Sequence, residues 1–425
     1  MKIISERPRA NLAALLVCAV LPRGCDSAPS NSIFVAHGDT VVVSTSGLVP
    51  GLVGRLTAAR ALADTAGTAH EFARVIDLWP TASGDLYALD MIGGTMLRPE
   101  IVLKHFSFGT LARTIGRAGR GPGEFRDPAG VRVLRNGNVA VSDRGLVHVF
   151  TPDGEHIETW NGAQRGDGLA PKISIDTLGN IYLTINSGER LGTRVGTWSM
   201  VRLRPDGSLV DTLEWPFQGV ALPQQLERNV VVPFHPSYHV AWSPDGHFVT
   251  AFSDRYAVDL RVGAPGGDLP FSWREGDTVR SIRRMSAPVP VLRRERADHM
   301  LGIELFMRSG GGPRDWTFRG PAIPEYKPPI RSLEIAADGR IWVGIHQRAE
   351  LIDSVMVRGQ SPRLIANRWK EAIVFEVFEP GGAFVGRVAL PDELGLRAAR
   401  GDTLWAVAEE AGIVTVRRFE VRWHQ

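Results

Sequence analysis

Cysteine is almost missing from this chain of 425 residues: there are two, at positions 18 and 25. Everything after residue 25 therefore has no disulfide, no cysteine-based metal centre and no thiol redox chemistry. Lysine is nearly as scarce, at five residues, so the 49 basic side chains are overwhelmingly arginine. Those arginines are scattered along the chain, and the net charge is only +3. A nucleic-acid footprint would be a clustered basic stripe, so no nucleic-acid partner is expected. Long apolar runs are absent as well. The longest stretch of that kind, "ANLAALLVCAVL", is too short to span a bilayer as a mature helix.

That short run has another meaning at its place in the chain. It follows "MKIISERPR", with Lys2, Arg7 and Arg9, and is broken by "PRGCDSAPS". A charged start, an apolar stretch and a polar exit form the pattern of a secretory signal, so residues 1–29 are expected to direct export. Gly24-Cys25 resembles the lipobox of bacterial lipoproteins, which makes Cys25 the candidate lipid anchor. Pro22 stands where that motif has an aliphatic residue, and ordinary cleavage after Ser27 or Ala28 is the alternative. Periplasm, cell envelope and a membrane-anchored lipoprotein are the locations this implies. A membrane surface is a partner only through that anchor.

What the rest of the chain has in quantity is glycine, 46 residues, and proline, 28. They punctuate a repeat. A turn with Gly beside Asp or Asn, followed by a short alternating strand, recurs in "ASGDLYALD", "LRNGNVAVSD", "DTLGNIYLT", "SPDGHFVTAFSD", "AADGRIWVGIH" and "ARGDTLWAVAE". Such dipeptides favour tight hairpins, and period-2 alternation marks strands. A strand precedes each unit, and second hairpins such as "LVHVFTPDGEHIETW" follow several of them. Four strands per unit and six units predict an all-β fold: a six-bladed β-propeller of four-stranded antiparallel blades spanning residues 30–425. Residues 32–45 are expected to add a strand to the last blade and close the ring. The interval from Gly246 to Gly339 is too long for one blade, so an insertion at about 276–331 is expected. Its segment "VLRRERADHMLGIELFMR" predicts a helix, and it holds eleven basic against six acidic residues.

The stretch "TIGRAGRGPGEFRDPAGVRV" poses a separate question, because glycine-rich loops often hold phosphate. It lacks Gly-Lys-Ser/Thr, Pro122 removes a donor, and a strand pattern follows it where a phosphate loop has a helix. The phosphate-loop reading fails. The stretch resembles instead the inter-blade linker of the NHL-repeat family and its bacterial six-bladed relatives. The residues that match are Ile115, Gly116, Gly119, Gly121, Pro122, Gly123, Glu124, Phe125, Pro128 and Gly130, then Asn136-Gly137 and Asp143. The other units carry only the turn and strand. The resemblance implies the propeller fold. Some relatives, among them lactonases, amidating lyases and antibiotic-inactivating lyases, use a channel metal.

Candidate site residues come from four places. His148 and His346 sit near strand ends, where they could reach the central channel; a framework role is the alternative for each. His239 lies four residues after His235, but Pro236 argues against the helix that would make this a metal pair. Asp254 and Arg255 stand at a strand junction. Arg293 and Arg294, in the insertion, could meet a carboxylate or phosphate; a solvated helix paired locally through Glu295 and Asp298 is the plainer reading. No Ser-centred nucleophile motif is present. The expected function is therefore that of an exported, monomeric binding scaffold for a protein partner or a small ligand, with no cofactor. Two alternatives stay open: a lyase or hydrolase using Ca or Zn in the channel, and a purely structural envelope protein.

Overall fold

The six repeat units become six sheets because each hairpin turn is built from local chemistry. In the second unit, Gly137 adopts φ +89°, and the Asn136 side chain accepts a hydrogen bond from the Asn138 amide at 3.0 Å. A side chain with a Cβ is strained at that backbone angle, which is why the turn needs glycine there. The computed structural model describes residues 32–424 apart from 46–51, 162–172, 187–197, 215–231, 263–277, 310–315, 358–363 and breaks of one or two residues elsewhere. The signal segment and Cys25 lie outside the described residues.

Blade one comprises strands Val75–Pro80, Leu86–Thr95, Arg98–Ser107 and Thr110–Ile115. Blade two comprises Pro128–Val133, Val139–Asp143, Leu146–Phe150 and His156–Asn161. Blade three is Ile173–Ile175, Ile181–Asn186, Trp198–Leu203 and Leu209–Glu214, and blade four Tyr238–Trp242, His247–Phe252, Ala257–Val262 and Thr278–Arg284. Blade five is formed by Ile330–Ile335, Ile341–Ile345, Ile373–Phe378 and Phe384–Leu390, and blade six by Leu394–Arg400, Thr403–Glu410 and Ile413–His424. Within each blade, consecutive strands pair antiparallel.

Six apolar cores, each shared by two successive blades, close these sheets into a ring. Leu89 and Leu103 of blade one meet Val131 and Val139 of blade two, and Val147 and Trp160 of blade two meet Ile173 and Leu183 of blade three. Tyr182 and Met200 pack on Trp242 and Phe248, joining blades three and four. Val249 and Val258 of blade four share a core with Ile330 and Phe378 of blade five, and Trp342 and Val377 of blade five with Leu404 and Phe419 of blade six. Leu78 and Phe106 of blade one then meet Trp405 and Val416 of blade six, which completes the circle. A sheet covered on both sides must be apolar on both sides. The second strands show this: Val139–Asp143 and Ile341–Ile345 are buried at every position. Alternating exposure survives on other strands, as in Thr110–Ile115.

Ring closure differs from the expectation. Residues 32–45 form a hairpin, Ser32–His37 with Thr40–Thr45, and its second strand pairs parallel with Thr278–Arg284 at the edge of blade four. The last blade takes other residues. Arg60–Ala61 pairs with Arg417 and Arg418, and Leu52–Leu56 lies between the end of the last strand (Val421–His424) and the outer strand of blade five. Both segments are short and apolar, and nothing local distinguishes which edge each one joins.

The expected helix is present at Arg293–Ser309. Because residues 278–284 belong to blade four, the segment outside the blades runs from 285 to 329. Among the described residues no helix is long and apolar enough to cross a membrane.

Candidate functional site

In every blade the chain enters the first strand and leaves the second on one face of the ring, and there the linkers must be fastened. Blades one and two do this with the strand-two aspartate that pairs with the first residue of strand one. Asp90 accepts the Arg74 and Ala73 amides at 2.9 and 3.2 Å, and Asp143 accepts those of Arg126 and Asp127 at 2.7 and 2.9 Å. In blade four Ser253 does the same for the Ser237 amide, at 2.8 Å. The repeated aspartate is thus a backbone cap, satisfying donors that would otherwise be buried without a partner.

Between blades four and five that face is built differently. Lys327, in the proline-rich strap before blade five, is wholly buried and lies 2.8 Å from Glu295 on the helix and 2.9 Å from Glu371. Its ammonium also donates to the Gln347 carbonyl at 3.2 Å and sits 4.8 Å from the centre of the Phe234 ring. A buried ammonium needs this many partners, because its desolvation must be offset at close range. Glu295 has a second task. Its other oxygen accepts the Leu292 amide at 3.1 Å, capping the first turn of the helix. Trp369 donates to Asp298 at 2.9 Å and fastens the helix a second time.

Against this anchor stand two of the sequence candidates. His346, just after the second strand of blade five, donates from Nδ1 to Glu371 at 2.9 Å. Burial opposes the charge on Glu371. The hydrogen bond and charge of His346, the Gln347 amide and Lys327 outweigh it and hold the carboxyl at about 2. His239, on the first strand of blade four, is half-buried with Ser237 Oγ at 3.3 Å from Nε2. Burial first, and the nearby His346 second, push its pKa below the usual histidine range. Phe234 lies against the anchor, its ring edge-on to His346 at 5.6 Å and to His299 of the helix at 5.2 Å. The result is a neutral imidazole from one blade beside a carboxylate-oriented imidazole from the next. With Nδ1 held by the carboxylate, the ring of His346 is fixed in orientation and its Nε2 is the atom left to meet a ligand.

The remaining candidates lie apart. Asp254 and Arg255 are exposed in the turn after the second strand of blade four, and Arg293 and Arg294 are exposed at the start of the helix. His148 does not reach the channel: it stands on the third strand of blade two, buried, 3.6 Å from Asp143. Sequence reading missed Lys327, Glu371 and Glu295. A lysine set among prolines, in a chain with five lysines, was the signal available for Lys327. Glu371 had none, since it precedes an ordinary strand. Among the described residues no three His, Cys, Asp or Glu side chains converge as a metal-ligand set.

No family model matches the chain, and no curated protein matches it. Its likeness is to solved β-propellers. A gluconolactonase from Xanthomonas campestris is 12% identical, covering 88% of this chain and 99% of that one, with a TM-score of 0.40. A streptogramin B lyase is 8% identical over 87% of this chain and 98% of that one, TM-score 0.38. A periplasmic gluconolactonase from Pseudomonas aeruginosa is 13% identical over 82% and 87%, TM-score 0.35. The chain is a β-propeller. Likeness at this level carries nothing about activity, and the NHL resemblance rests on the single linker of residues 115–130.

Proposed function

We propose that this protein is an exported binding propeller that captures a small polar ligand where blades four and five meet beneath the helix. The observation that carries this reading is His346, oriented by Glu371 beside a buried Lys327 anchor that ties the strap to the helix, with His239 of blade four near enough for its charge to be felt. A helix pinned this firmly is a fixed roof, and fixed donors and acceptors give recognition without the entropy cost of ordering loops on binding. Arg293 and Arg294, at the exposed start of that helix, would add attraction for an anionic part of the ligand, and Asp254 and Arg255 sit on the same face. Lipid attachment at Cys25 would hold the propeller at a membrane surface.

Native mass spectrometry of the protein purified from its own envelope, without chelator, tests the reading. A retained small molecule is expected, released by His346→Ala and by His239→Ala. A molecule retained equally by both variants would place recognition elsewhere. The same spectra report whether the mature chain carries a lipid on Cys25.

A further inference from the structure

The glycine-rich linker does hold an anion, and the anion is its own. Glu124 folds back so that Oε2 accepts the Arg120 and Gly121 amides at 2.9 and 2.8 Å, while Oε1 meets Arg117 at 2.8 Å. Those contacts, the Gly121 amide foremost, hold its carboxyl below the usual range. A Cβ on Gly119 would collide with this carboxylate, so the glycine there serves the fold-back. The fold-back leaves a groove of about 370 Å³ between the linker and the outer strands of blade two. Arg120, Arg126, His148, His156 and Thr159 line it, together with Glu124, whose carboxylate is held by the linker amides and Arg117.

The charges around this groove do not balance. Arg113 is paired with Asp153 at 2.8 Å, Arg117 with Glu124, and Arg144 with Asp127 at 3.5 Å. Among the described residues, Arg120 and Arg126 have no carboxylate partner, and both are exposed at the groove. The groove wall also carries a chain of polar side chains. His156 Nε2 lies 2.9 Å from Thr159 Oγ1, which lies 3.0 Å from His148 Nδ1. His148 is buried and turns its Nε2 away from the groove, 3.6 Å from Asp143. Two guanidiniums without a carboxylate partner, an imidazole and a hydroxyl thus face one concavity.

We propose that this groove is a second binding site, separate from the capped face, which takes an oxyanion group, phosphate or carboxylate, between Arg120 and Arg126 with His156 and Thr159 beside it. A planar guanidinium meets such a group through two parallel hydrogen bonds, so two arginines can hold both sides of one anion.

Isothermal titration of the purified protein with inorganic phosphate, and separately with citrate, at low ionic strength is the test. Saturable binding of at least one anion is expected, and the two arms show which oxyanion the groove prefers. The double variant Arg120→Ala/Arg126→Ala, which changes only exposed side chains, should weaken binding by about tenfold or more. Arg113→Ala, which removes an already paired arginine, should leave it unchanged. Failure of both anions to saturate overturns the proposal, as does binding that survives the double variant or is lost equally in Arg113→Ala. His239→Ala and His346→Ala should have no effect, which separates this site from the capped face.

Discussion

Blades two and five place a histidine and a glutamate at one and the same position. The third-strand residue paired two positions before the strand-two residue that meets the start of strand one is His148 in blade two and Glu376 in blade five; in blade one it is Lys104. In blades one and two this residue completes the blade's own aspartate, with Lys104 at 2.6 Å from Asp90 and His148 at 3.6 Å from Asp143. In blade five there is no aspartate to complete, because Ile345 ends the strand. Glu376 instead receives Arg284 from the last strand of blade four at 3.0 Å, and Arg387 from its own fourth strand at 2.7 Å. The Arg284 guanidinium lies over the Phe384 ring at 3.9 Å. The same register therefore fastens a linker in one half of the ring and ties blade to blade in the other. Linker fastening in blade five has passed to Lys327, Glu371 and the helix, which is where the candidate ligand site lies.

The sharpest way to break this comparison is Glu376→Gln. Arg284 and Glu376 are both buried, so removing one charge strands the other, and a loss of about 3–5 kcal/mol in urea denaturation is expected. The double variant Arg284→Met/Glu376→Leu should recover most of it; if it does not, the pair is more than a cross-blade tie. Glu371→Gln should cost about 1.5–3 kcal/mol, since it removes a charged acceptor from His346 and Lys327. It should also change the acid response. The folded carboxyl titrates at about 2, against 4.5 unperturbed. The stability it confers is thus complete above about 4.5 and disappears as the pH falls towards 2. The variant's stability should be flatter over that window than the parent's; an unchanged acid slope would contradict the pairing. Asp143→Asn should cost about 1–2 kcal/mol, because an amide cannot accept both linker amides and the His148 contact equally well. The smallest effect is expected for the exchange Lys104→His/His148→Lys, within about 1 kcal/mol if the two positions are interchangeable. A much larger loss would show that each blade has shaped its pocket to one side chain.

The parts of this architecture legible in sequence were those specified locally. Turn glycines such as Gly137, the alternating strands and the linker of residues 115–130 each carry their own signal within a few residues, and the six blades followed from them. The helix at 293–309 was legible for the same reason. The destinations of the N-terminal strands were not, because an edge strand carries no record of which edge it joins. The Arg284–Glu376 tie spans residues far apart in the chain, and the Lys327 anchor draws on the helix, the strap and blade five together. For His148 both a channel position and a framework role stood open, because strand alternation alone does not say on which strand of the blade a residue lies. Glu124 read as one letter of a linker pattern, though it is the anion that the glycines enclose.

The N-terminal strands also govern the order in which the protein can be assembled. Residues 41–45 pair with 280–284, and residues 53–56 with 421–424. A chain that crosses a membrane from its N-terminus delivers these strands first, yet their partners arrive only after most or all of the sequence has followed. Contacts of such sequence separation form slowly. The hairpin of residues 32–45 can close early, but the far edge of Thr40–Thr45 must wait open until residues 280–284 arrive. Such an edge is a template for wrong pairing. The segment made first is thus the one that stays longest exposed to it, and the yield of folded protein should depend on how long that edge is shielded.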